Sequence, residues 1–281
     1  MNSSIDDNWF SEICKDSGSA ISFKLNKKLH AEKTPYQLIE IYETEQFGNL
    51  MVIDGFIMLT SRDNFLYHEM MSHPVLYTHP APKRVVVIGG GDCGTLQQVL
   101  LHPEVEQVTQ VEIDERVTHL SEKYFPELCT SNNDPRAELL FADGLKWMKE
   151  AEPGSVDVII VDSTDPIGPA EGLFTAKFFS DCHRALGKEG LLVQQSESPL
   201  LHLESIIKPL KKAMRDGSFT HTHTLQFPQP CYPSGWWTAT MAGKNKLDDF
   251  REMDAQEKLF ITKYYNADIH RAALATPELL K

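Results

Sequence analysis

Residues 156–169, Val-Asp-Val-Ile-Ile-Val-Asp-Ser-Thr-Asp-Pro-Ile-Gly-Pro, constrain the fold most. The β-branched run at 156–161 reads as a buried parallel strand. It stops at Asp162. A second carboxylate, Asp165, follows three residues later in a loop stiffened by Pro166 and Pro169. Asp-Pro and Gly-Pro pairs are ordinary turn chemistry. A turn alone has no need of two acids directly after a buried strand, and in open α/β sheets ligands bind where strands end at their carboxyl edge.

The same strand–turn–helix pattern recurs upstream. Residues 84–88 form an apolar strand, Gly89-Gly90-Gly91-Asp92-Cys93-Gly94 a turn, and 95–101 a helix. Residues 107–111 form the next strand, ending at Glu112. Gly89, Gly91 and Gly94 fit G-x-G-x-x-G, and Glu112 lies near the ~20-residue spacing of a ribose-binding acid. A third strand ends at Asp143-Gly144, and a fifth covers 191–195. Helices are expected at 62–76, at 174–186, and at 200–214 with an interruption at Pro209. Closing strands are expected at 220–227 and 236–241, the second antiparallel. Strands alternating with helices imply a doubly wound α/β sheet, with Asp92, Glu112, Asp143 and Asp162 gathered at one edge. Residues 1–62 read as a small antiparallel β domain, with a hairpin at Asp54-Gly55, and 63–281 as the catalytic domain. The β domain is too small to stand alone comfortably.

Lys plus Arg total 27 against 40 Asp plus Glu, a formal charge of -13. That disfavours nucleic acid and suits a cationic small molecule. The five cysteines lack metal-ligand spacing and read as free thiols in a reducing compartment. With no leader and no apolar run of membrane length, the reading is a cytoplasmic protein. A Gly-rich turn, a ribose acid and Asp143 suit an adenosine, Asp143 accepting from the exocyclic amine. Asp92 within the turn would repel a pyrophosphate, which favours a cationic nucleoside such as an S-adenosyl sulfonium.

At this point a resemblance becomes specific. Gly-Gly-Gly-Asp at 89–92, Val-Glu-Ile-Asp at 111–114 and Asp-Ser-Thr-Asp-Pro-Ile-Gly-Pro at 162–169 resemble the polyamine aminopropyltransferases, the spermidine synthases above all. Tyr36-Gln37, Tyr67-His68-Glu69-Met70, Tyr232-Pro233-Ser234-Gly235 and Lys263-Tyr264-Tyr265-Asn266 extend it over nearly the whole chain. The resemblance implies a Rossmann-like, methyltransferase-type domain behind an N-terminal β domain that joins homodimers or homotetramers. It implies aminopropyl transfer from decarboxylated S-adenosylmethionine, a co-substrate, to putrescine, with no metal or redox cofactor.

By the same resemblance Asp162 is the proton acceptor. Gln37, Asp92, Glu112, Asp143, Gly144 and Pro169 hold the donor. His68, Asp92, Asp162, Asp165, Tyr232, Tyr67, Trp9 and Glu197 grip the diamine. Residues 163–173 form a gate. Cys93, Met58 and Ser61 stand where the family usually has Gly, Gln and Glu, and they bear on acceptor choice. Cadaverine or spermidine as acceptor, methyl transfer from the intact sulfonium, and a non-catalytic polyamine sensor are the competing readings.

Overall fold

The structure, a computed structural model, describes residues 5–15, 17–166 and 168–281. The N-terminal strands are β1 (Trp9–Cys14), β2 (Ser19–Lys33), β3 (Leu38–Thr44), β4 (Asn49–Ile53) and β5 (Phe56–Thr60). They pair antiparallel in sequential order, and β4 and β5 turn at Asp54-Gly55. β2 is 15 residues long, much longer than its weak alternation suggests, and bulges near Asn26 and Leu29 break its register with β3.

This sheet borrows its core. Ile39, Ile41, Met51, Ile53 and Leu59 pack on Val117, Leu120 and Phe125 of the following domain. On the other face Phe23, Tyr42, Val52 and Ile57 meet Cys231 and Tyr232. Two faces covered by one neighbour explain how so small a sheet holds its shape.

The rest of the chain alternates: α1 (Asn64–Thr78), β6 (Arg84–Gly89), α2 (Gly94–Leu100), β7 (Gln107–Glu112), α3 (Glu115–Tyr124), β8 (Ala137–Phe141), α4 (Gly144–Glu150) and β9 (Val156–Asp162). Then come α5 (Ala176–Ala185), β10 (Leu186–Gln195), α6 (Lys208–Asp216), β11 (His221–Pro228), β12 (Trp236–Gly243), α7 (Glu252–Gln256) and α8 (Ala267–Ala273). The seven-stranded sheet has the order β11-β12-β10-β9-β6-β7-β8. β12 runs antiparallel to both neighbours, as its position suggests. Pro209 marks an irregularity in the helical run without ending it. It falls where a π-type turn at Leu203–Ile207 runs directly into α6, with Ile207 and Lys208 both helical, and the widened turn accommodates its missing N–H.

Strand periodicity sorts the core. Val85 and Val87 of β6, with Val158 and Ile160 of β9, face α1 and α2. Val86, Ile88, Ile159 and Val161 face the opposite way, toward Met148, Phe178, Phe179 and Leu210 on α4, α5 and α6. Both faces are covered, which is why these strands are apolar throughout.

Glu69 on α1 is 2 % exposed and accepts three backbone N–H groups, from Lys263, Tyr264 and Tyr265, at 2.7–2.9 Å. That carboxylate pins the C-terminal Lys-Tyr-Tyr-Asn segment over α1. Glu69→Ala strands those donors, so denaturant unfolding should show a loss of about 3 kcal/mol or more.

Candidate active site

β6 is the switch point of the sheet: the chain leaves it toward β7 and β8, then crosses back to β9. At the carboxyl edge Gly89 pairs with Asp162, and Gly90 N–H donates to the Asp162 carbonyl at 2.7 Å. Gly89 has φ +82°, and a Cβ there would stand 2.2 Å from that carbonyl oxygen. Only glycine lets the turn approach β9 this closely. Gly94 opens α2 against the His68 ring, where a Cβ would come within 2.2 Å of Cε1.

Asp162 is half-buried at the tip of β9. Its Oδ1 accepts from the Tyr67 hydroxyl at 2.7 Å and its Oδ2 from Thr95 Oγ1 at 2.6 Å. Burial and the Asp92 carboxylate raise its pKa, while His68 and the two hydroxyls pull the other way. Asp92 accepts from Gly94 N–H at 2.7 Å and lies 3.1 Å from His68 Nε2. Burial pushes its carboxyl up, but His68 and the Gly94 amide more than reverse this and hold it below the usual range. His68, 2 % exposed, is favoured in its charged form by Asp92 and Asp162 despite its burial.

Glu112 ends β7, accepts from Asp114 N–H at 2.8 Å, and is pushed up to about 7, mainly by burial. Asp143 caps α4 through Leu145 and Lys146 N–H at 2.8 and 3.3 Å and is exposed at the rim. Gln37 Nε2 donates to Asp114 Oδ2 at 3.0 Å, which ties the N-terminal sheet to the start of α3.

Two cavities meet here. The first, about 990 Å³ including the solvent at its mouth, is bordered by Gln37, Asp92, Glu112, Asp143, Asp162 and Pro169, with Gly144 beneath. The second, about 610 Å³, holds Asp165 and Glu197. Met58, Tyr67, Ser163, Thr164 and Tyr232 border both. The Tyr67 and Tyr232 rings stand edge to face, 5.9 Å apart, and the Tyr232 hydroxyl donates to the Met58 carbonyl.

Most residues singled out from sequence therefore converge. His68 does not border either cavity: it stands behind Asp92 and orients it. Trp9 also borders neither. Its strand instead contributes Glu12, whose Oε2 accepts from Ile57 N–H at 2.7 Å and whose carboxyl burial pushes up to about 7. Asp165 is pushed up to about 9 by burial and by Glu197, which burial also raises. Glu12 and His202, which also borders the second cavity, escaped the sequence reading because β1 carries no alternation and His202 lies in an irregular turn. Thr95 offered one signal, its place directly after the glycine turn. Of the proposed gate at 163–173, residues 168–174 form a 3₁₀ segment, and Ile167 lies outside the described residues.

Among the described residues no helix is long and apolar enough to cross a membrane, and no cluster of three His, Cys, Asp or Glu side chains is placed to hold a metal ion.

Residues 8–61 match the family described as the spermidine synthase tetramerisation domain, and residues 64–252 the spermine/spermidine synthase domain. The polyamine aminopropyltransferase of Methylococcus capsulatus is 66% identical over 270 residues, spanning 96% of this chain and 94% of that protein. The polyamine aminopropyltransferase of Nitrosococcus oceani is 64% identical over 273 residues, spanning 97% and 95%. A crystal structure of spermidine synthase in complex with the transition state analogue AdoDATO superposes with a TM-score of 0.91 at 33% identity, covering 98% of this chain and 96% of that one. The spermidine synthase of Thermotoga maritima gives a TM-score of 0.88 at 34% identity, covering 97% and 94%. With both of its sheets matched and its length nearly fully covered, the chain belongs to the spermine/spermidine synthase family of polyamine aminopropyltransferases.

Proposed function

We propose that the chain transfers the aminopropyl group of decarboxylated S-adenosylmethionine to putrescine, giving spermidine and 5'-methylthioadenosine. The supporting observation is the junction of the two cavities: Tyr67 borders both and donates to Asp162, and acids stand on either side. The nucleoside occupies the first cavity, its ribose on Glu112 and its adenine near Asp143, Gly144 and Pro169. Gln37 holds this wall through Asp114. Asp92 meets the aminopropyl ammonium. The diamine runs along Tyr67 and Tyr232, with its far ammonium among Asp165, Glu197 and Glu12.

The sulfonium activates its own carbon, so the reaction needs no metal or redox cofactor. The amine is the obstacle. With a pKa near ~10 it is protonated at pH 7, and freeing its lone pair costs roughly 4 kcal/mol. Asp162 accepts that proton, and its raised pKa brings it closer to the task than an ordinary aspartate. Asp92 repels the carboxylate of the intact sulfonium, which disfavours methyl transfer. The working unit is a cytosolic homodimer or homotetramer, supported by the match of residues 8–61 to a tetramerisation domain.

A second reading keeps the chemistry and changes the amine. Glu12 adds a third carboxylate to the acceptor cavity, and Met58 stands at the junction. A panel of putrescine, cadaverine and spermidine, read by methylthioadenosine release, decides. Putrescine is expected to give the highest kcat/KM, and a poor rank for it would sink the first reading.

Acceptor binding should also release protons. Glu12 and Asp165 are pushed up to about 7 and about 9, so near pH 7.5 Asp165 holds a proton, and Glu12 part of one, that free carboxyls would have lost. A bound diammonium favours the ionised forms and expels those protons, so affinity should climb from pH ~6 to ~9. Titration calorimetry in buffers of different ionisation enthalpy measures this. Heats independent of the buffer would contradict it.

A further inference from the structure

Cys14 closes β1 and borders the second cavity, and the proposed reaction uses neither it nor His202. Its Sγ lies 4.0 Å from His202 Nε2, and His202 Nδ1 lies 3.3 Å from Glu197 Oε2, at ion-pair distance though poorly aligned for a hydrogen bond. This thiol, imidazole and carboxylate stand in the order that generates a thiolate. Ser17 and then His202 hold the Cys14 thiol below its ordinary value. Cys93, Cys182 and Cys231 are fully buried, and the half-buried Cys129 is pushed up by Cys93 and by burial. Across the cavity stand Glu12 and Asp165. Glu197 is 1 % exposed, and none of the three carboxylates faces a lysine or arginine among the described residues. An arriving ammonium favours the ionised forms of these carboxyls, so the cavity takes up cationic reagents in preference to uncharged or anionic ones.

We infer that Cys14 is a modification site for cationic aminoalkyl disulfides, drawn into the second cavity by Glu12, Asp165 and Glu197. The thiol proton passes to His202 Nε2. The Cys14 sulfur attacks one sulfur of the disulfide. A new S–S bond forms as the old one breaks, and the departing aminoalkyl thiolate takes the proton from His202. The adduct fills the cavity and is removed by a free thiol through the reverse exchange. That the adduct also stops turnover rests on the acceptor reading above.

The test uses the full chain with cystamine, a diamine disulfide, and with its uncharged counterpart 2-hydroxyethyl disulfide. Each rate is normalised to that reagent's rate with a small free thiol, which removes the difference in leaving group. Mass spectrometry is expected to find the first adduct on Cys14, with cystamine favoured at least tenfold after normalisation. His202→Gln should slow the reaction at pH 7 at least tenfold and move its pH–rate profile upward. A first adduct on another cysteine, equal normalised rates, or an unchanged profile in His202→Gln would each overturn the inference. Putrescine should protect Cys14 from cystamine. If it fails to protect while the other results hold, the acceptor assignment falls and the reactivity of Cys14 stands.

Discussion

Asp162→Asn is expected to bind decarboxylated S-adenosylmethionine with near-normal affinity and to turn over about 10³-fold more slowly. The fold tolerates the change. Asn keeps the shape of Asp, and the Tyr67 and Thr95 hydroxyls that donate to Asp162 can rotate, one donating to the amide oxygen and one accepting from the amide nitrogen. What disappears is the proton acceptor. A loss of that size adds roughly 4 kcal/mol to the barrier, matching the cost of freeing the amine unaided. Single-turnover rates and calorimetry on the same preparation separate the two effects. Near-normal turnover would remove Asp162 from the base role, and lost donor affinity would show that it binds rather than reacts.

Asp92→Asn should collapse the preference for the decarboxylated donor over intact S-adenosylmethionine by roughly 100-fold. One factor of about ten comes from the lost contact with the aminopropyl ammonium and another from the lost repulsion of the carboxylate. The Gly94 N–H keeps an oxygen acceptor in the variant, and His68 keeps a hydrogen-bonding partner while losing the charge that favours its protonated form. Calorimetry with both donors reads the ratio, and thermal unfolding checks that the buried His68 has not cost the fold. Equal affinity of the unaltered chain for both donors would refute the repulsion argument outright.

The carboxyl-edge acids were legible because local rules place them. A β-branched run that ends in Asp162, or in Glu112, sets the side chain at a strand tip before any tertiary contact is known. The glycine turn is legible for the same reason. For His68 and Trp9 the sequence shows a neighbourhood and not a direction. The turn of α1 puts His68 behind Asp92, and β1 aims Glu12 into the cavity where Trp9 was expected. The irregularity at Pro209 was legible, but its form, a π-type turn running into α6, is set by the backbone and not by the residue alone.

From its residues alone, this chain determined a doubly wound sheet, its switch point, and an acidic edge suited to a cationic nucleoside. Those follow from strand periodicity, from glycine's tolerance of positive φ, and from where strands must end. Only the tertiary structure decided that a second, acid-lined cavity opens beside the first. Glu12, Asp165 and the segment that carries Glu197 and His202 lie far apart in sequence. Glu12 reaches the other three only once the N-terminal sheet packs against the catalytic one, and the burial that pushes Asp165 up to about 9 belongs to the folded chain.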